Sequence, residues 1–159
     1  SLAAGVHAQP ESGHLNGGTF YDYHQTQDGR YLSIGSLEPQ FMQGLAQALQ
    51  LPVLLEKGSS LDAQDQKEVK AAIQEKIRSK TLNEWQTIFD ALDVCVEPVL
   101  HLDEALTSQL AQERGWVVHV PVKAGEQETE PQLACPIKFS RSSSRYDFMG
   151  QALGESEQW

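Results

Sequence analysis

Cysteine is scarce in this chain of 159 residues: only Cys95 and Cys135 occur, and no CxxC spacing links them. That excludes a disulfide-stapled scaffold and favours a reducing, cytoplasmic setting. Cys95 lies between Val94 and Val96 with no cation beside it, so it is expected to be a buried structural thiol rather than a nucleophile. Positive charge is scarce too. Lys and Arg number 12 against 22 Asp and Glu, a formal net charge of −10, and no basic face for nucleic acid is expected. No apolar run approaches the roughly 18 to 20 residues of a membrane span, and the opening Ser1-Leu2-Ala3-Ala4-Gly5-Val6 lacks the basic start of a signal peptide. The histidines His7, His14, His24, His101 and His119 show no HExxH spacing and no cysteine pair nearby, so no metal site is predicted. No Gly-rich phosphate loop follows a strand.

What is present suffices for a core. Hydrophobic residues make up 40% and charged residues 21%, the balance of one soluble globular unit. Residues 1–16, rich in Gly, Pro and Ser, read as a linker or arm. The aromatic run Thr19 to His24, the turn Gln27-Asp28-Gly29 and the return Arg30 to Gly35 predict a β-hairpin. Pro39 at a first helical position, followed by Phe41, Met42, Leu45, Ala48 and Leu49, predicts a helix to about Gln50. A polar stretch from Glu56 to Gln66 leads to a second helical stripe of Val69, Ala72, Ile73 and Ile77. Thr81-Leu82-Asn83-Glu84 is a capping box opening a third helix with Trp85, Ile88, Phe89 and Leu92. Val94 to Leu100, containing Pro98, predicts an edge strand or extended connection. A further helix is expected over Asp103 to Glu113, stopped by Gly115. Trp116 to Val122 reads as a strand, Lys123 to Pro131 as a hydrophilic turn, Leu133 to Phe139 as a last apolar run, and Ser140 to Arg145 as a tail. The fold class is α+β: a small domain with a β-hairpin or antiparallel sheet, about four helices, and extended ends.

One segment stands out chemically. Gly35-Ser36-Leu37-Glu38-Pro39-Gln40-Phe41 places a carboxylate between a strand end and a helix start, with Pro39 fixing the backbone after it. Two readings follow from the spacing: Glu38 serves the positive end of the helix, or it is held there to act on something else.

The same residues carry a resemblance. Phe20-Tyr21 and the block from Thr26 to Phe41, with its Glu-Pro-Gln-Phe motif, are similar to the middle of α-methylacyl-CoA racemases, members of the class III CoA-transferase family. Lys80 to Phe89 and Asp93 to Leu100 resemble later blocks of that family in the same order. The likeness spans roughly residues 15 to 120. It implies a C-terminal part of a longer enzyme: residues 1–16 a linker from a missing N-terminal large domain, 17–122 a small α+β domain, and 123–159 a segment returning to the large domain. It implies also an interlocked homodimer, in which the large domain supplies CoA binding and the His and Asp that exchange the proton.

In this resemblance Glu38 contacts the catalytic histidine, and Leu37, Phe41 and Tyr21 are candidates to line the acyl pocket. Packing uses for Phe41 and Tyr21 stay open. The implied reaction is 1,1-proton transfer at the α-carbon of a 2-methylacyl-CoA, with the CoA thioester as substrate, no covalently bound cofactor, and no activity in the isolated chain. The alternatives are a CoA-transferase of the same family, whose nucleophilic carboxylate would lie outside this chain, and a non-catalytic interaction domain. Two departures stand out: His24-Gln25 occupies a place where relatives tend to read Tyr-Arg, and Gly150-Gln151-Ala152 resembles a Gly-x-His element but lacks the histidine.

Overall fold

A computed structural model describes residues 10, 12–15 and 17–150. The expected arm over 1–16 and the Gln151-Ala152 departure fall wholly or largely outside them. The chain divides into two compact units, one up to Val99 and one from Leu100.

The first unit holds β1 (Asp22–Gln25), β2 (Tyr31–Ile34), α1 (Pro39–Leu49), α2 (Val53–Lys57), α3 (Ala63–Ile77), α4 (Leu82–Phe89) and β3 (Val96–Pro98). Its sheet has the order β1-β2-β3 and is antiparallel throughout. The predicted hairpin forms, with Tyr23 opposite Ser33 and His24 opposite Leu32, and Gly29 takes the positive φ of 78° that its turn requires. β3 lies at an edge, where Pro98 removes no ladder donor the sheet needs. Because side chains alternate, His24, Leu32, Ile34 and Val96 face inward, onto Leu45, Leu49, Ile73, Ile77 and Trp85.

Polar side chains close the edge that β1 leaves open. Gln74 of α3 accepts from the Gln25 N–H at 3.0 Å and donates to the Gln25 carbonyl at 2.9 Å, as a neighbouring strand would. About two turns earlier on α3, buried Gln66 accepts from the Phe20 N–H and donates to the carbonyls of Gly58 and Ser60. The capping box at Thr81 is present in both directions, with the Asp28 carboxylate of the hairpin turn also accepting from the Leu82 N–H.

The second unit holds α5 (Leu102–Thr107), α6 (Gln109–Arg114), β4 (Val117–Pro121) and β5 (Thr129–Leu133), the strands paired antiparallel. Among its described residues the buried apolar side chains are Ala111 and Val120, while Leu133, Ile137 and Phe139 are each more than 60% exposed.

The α+β expectation holds, with six helices among the described residues where about four were expected. The helix expected over Asp103 to Glu113 is two, because Ser108 is extended (ψ 155°) and its hydroxyl both donates to the Ala105 carbonyl and caps the Ala111 N–H. α2 was not expected; it is a single turn that buries Leu54 between Pro52 and Gly58. The hydrophilic turn after β4 is shorter than expected, since Thr129 to Pro131 belong to a strand. β5 is wholly exposed and carries no apolar alternation, so its extended form comes from pairing with β4. Among the described residues no helix is long and apolar enough to cross a membrane.

Candidate functional site

The polypeptide leaves β2 at Ile34, turns through Gly35, Ser36 and Leu37, and enters α1 at Pro39. A tight turn is closed by the Leu37 N–H donating to the Gly35 carbonyl at 2.8 Å. Ser36 is fully buried and its hydroxyl donates to the Val94 carbonyl. The Gly35 N–H donates to the neighbouring Cys95 carbonyl at 2.9 Å. Helix α1 itself closes on the same segment: a Cβ on Gly44 would come within 2.7 Å of Val94 Cγ1, so the helix approaches as only glycine permits.

Glu38 stands at the end of this turn, exposed and in the N-cap position, with φ −69° and ψ 141°. Its carboxylate caps nothing. None of the N–H groups in the first turn of α1 donates to it, whereas Asp62 at the start of α3 and Thr81 at the start of α4 do cap their helices with their side chains. The backbone at Glu38 is held by Pro39 and the pinned turn before it, and the residue is exposed.

The other predicted site residues gather unevenly around it. Leu37 is half-buried and packs against the core. Phe41, one turn into α1, is half-buried but is not among the side chains packed on that core. Tyr21 is 36% exposed, and its ring edge lies 3.4 Å from where a Gly35 Cβ would be, beside Cys95. It lines a shallow pocket of about 200 Å³ together with Leu15, Tyr23 and Ser33. A larger apolar groove of about 650 Å³ lies in the second unit, between Leu106, Ala111, Val117 and Leu133, and contains none of the predicted site residues.

Cys95 is not the buried thiol its neighbours suggested. Val94 and Val96 are buried, but Cys95 itself lies before β3 with a positive φ of 50°, and this left-handed bend turns its side chain outward. Partial desolvation and then the charges of Glu38, Asp93 and Glu97 hold its thiol above the usual range, which disfavours the nucleophilic thiolate. Cys135 is exposed as well. His24 is buried with Nε2 at 3.1 Å from the Phe20 carbonyl, and burial pushes its pKa down. Among the described residues no three His, Cys, Asp or Glu side chains gather as a metal site would require. Reading the sequence missed Ser36, Gly44 and the backbone of Cys95, whose parts depend on contacts with residues some fifty positions away.

Residues 2–156 match CoA-transferase family III. The mouse α-methylacyl-CoA racemase is 35% identical over 132 residues, which cover 82% of this chain and 33% of that protein. The human α-methylacyl-CoA racemase is 34% identical over 146 residues, covering 89% and 37% respectively. The chain thus spans about a third of the length of these curated relatives. Among solved structures, an orthorhombic crystal form of Rv3272 from M. tuberculosis superposes with a TM-score of 0.61 at 20% identity over 75% of this chain and 34% of the other, a likeness of fold. With the motif blocks, the antiparallel sheet and a match running nearly end to end, this chain belongs to CoA-transferase family III.

Proposed function

We propose that this chain is the C-terminal part of an α-methylacyl-CoA racemase-like enzyme and supplies one wall of its active site. The reading is carried by Glu38, whose backbone is fixed at a strand-to-helix junction and whose carboxylate does not cap its own helix. The reaction removes the proton alpha to a thioester carbonyl and returns one to the opposite face of the resulting enolate, which calls for two acid/base groups flanking that carbon. In this reading both groups, a His and an Asp, come from an N-terminal large domain. Glu38 accepts a hydrogen bond from the imidazole N–H remote from the substrate, which fixes the tautomer and favours the charged form. Leu37, Phe41 and Tyr21 form the apolar side toward the acyl chain. The substrate is a 2-methylacyl-CoA, the enzyme works in the cytoplasm as an interlocked homodimer, and the chain by itself does not turn over.

The test is deuterium loss from an α-deuterated 2-methylacyl-CoA by the full-length enzyme, with Glu38→Gln beside the wild type. A charge-assisted hydrogen bond contributes about 1.5–3 kcal/mol, so exchange should fall about tenfold to a hundredfold while thioester binding changes little. Loss of label with inversion and a slow variant support the reading; undiminished exchange in Glu38→Gln counts against it. The CoA-transferase alternative rests on the family's own description and predicts instead that labelled CoA passes between carboxylic acids with the α-deuterium retained.

A further inference from the structure

Two non-glycine residues have positive φ among those described, Gln50 at 56° and Cys95 at 50°. Gln50 ends α1 as a left-handed C-cap, a common use of that conformation. Cys95 ends no helix. It precedes β3, where an L-residue in the left-handed region costs about 1–2 kcal/mol.

The hydrogen bonds explain what the left-handed turn accomplishes. In an extended strand successive carbonyls point to opposite edges. Here the carbonyls of Val94 and Cys95 serve one and the same turn: the first accepts from the Ser36 hydroxyl, the second from the Gly35 N–H at 2.9 Å. A bend at Cys95 is what lets consecutive carbonyls do so. The side chain of Val94 meanwhile sits against Gly44, the middle of the helix that begins just after Glu38. One corner therefore grips the chain both before and after the carboxylate.

We propose that the Val94–Cys95 corner is a clamp that sets the position of Glu38, with Ser36 and Cys95 acting as positioning residues. The inference rests on the role of Glu38 given above and extends it to residues outside the Glu-Pro-Gln-Phe motif. Catalytic alignment is steep in distance, a displacement of about 1 Å costing as much as a hundredfold in rate.

The experiment measures kcat, KM and the pH profile of α-proton exchange in the full-length enzyme for Ser36→Ala, Glu38→Gln and the double variant, with thermal melting of each. Ser36→Ala is expected to lower kcat about tenfold with KM nearly unchanged, and to shift the acid limb of kcat/KM to lower pH in the same sense as Glu38→Gln. In the double variant Ser36→Ala should add no further loss, because its effect passes through Glu38. A purely structural hydroxyl would instead multiply with Glu38→Gln, and that result overturns the clamp. Unchanged exchange in Glu38→Gln overturns the reading beneath it, a separate outcome.

Should Ser36→Ala fail to fold, Cys95 decides, since its side chain is exposed. Cys95→Val places a β-branched residue at φ 50° and should lower kcat, whereas Cys95→Gly accepts that φ and should restore the rate. Equal rates from the two overturn the proposal.

Discussion

His24 shows how one buried side chain ties stability to pH. Its Nε2 must donate to the Phe20 carbonyl, which sets the neutral tautomer, and burial lowers its pKa from the ordinary 6.5. The unfolded chain therefore binds a proton at a higher pH than the folded one. Stability is fully present above the unfolded value and is lost as pH falls through about 6.5 toward the lower folded value. The unfolding midpoint in urea is expected to drop between about pH 7.5 and pH 5, and a His24→Gln variant should show a flatter profile over that interval. A second residue-scale expectation concerns Trp85, whose Nε1 donates to the Ile77 carbonyl at 2.7 Å and whose ring stacks on Phe89 at 5.5 Å. Trp85→Phe keeps an aromatic ring but leaves that carbonyl only the long bond from the Lys80 N–H at 3.5 Å, a loss of about 0.5–1.5 kcal/mol by denaturant titration.

Helices α1 and α4 reach their places by different means, and their variants should differ accordingly. α4 is held at its start by local chemistry, the reciprocal Thr81 and Glu84 bonds, so Thr81→Ala should cost about 1 kcal/mol. α1 has no side-chain cap and relies on close approach at Gly44. Two effects oppose each other in Gly44→Ala. Helix propensity favours alanine by about 1 kcal/mol, but the new Cβ meets Val94 at 2.7 Å, and overpacking typically costs about 1–3 kcal/mol. The net expectation is destabilisation, read as a lower urea midpoint; a midpoint raised by the substitution would mean that α1 shifts away from Val94 without loss. Both helices were legible in sequence because apolar spacing, Pro39 and the capping box are local signals. The split at Ser108 was not, since Leu106 and Leu110 keep a helical interval across a residue whose own backbone is extended.

At the scale of the whole chain the two units differ in how much they bury. The first encloses a continuous core from Phe20 to Val96. The second buries Ala111 and Val120 and leaves Leu133, Ile137 and Phe139 largely in solvent. Local opening is easiest where few apolar contacts must be broken. In the 159-residue chain the amides of β4 and β5 should therefore exchange hydrogen faster than those of β1 and β2, by at least about tenfold, in a mass-spectrometric time course. Equal protection would show that the second unit gains stability from something beyond its own apolar burial.

The sequence by itself determined the α+β class, the hairpin with its glycine turn, three of the helices, and the setting of Glu38 between a strand and Pro39. Each of these is written within a few neighbouring residues, in spacing or in a cap. Tertiary structure alone decided that Gln74 and Gln66 face the backbone of β1 and its approach, that a polar segment becomes β5, that Cys95 turns outward in a left-handed bend, and that Ser36 finds the Val94 carbonyl. The physical reason is common to all four: their partners are backbone N–H and C=O groups, which nearly every residue carries alike, so no local pattern marks which distant pair will meet.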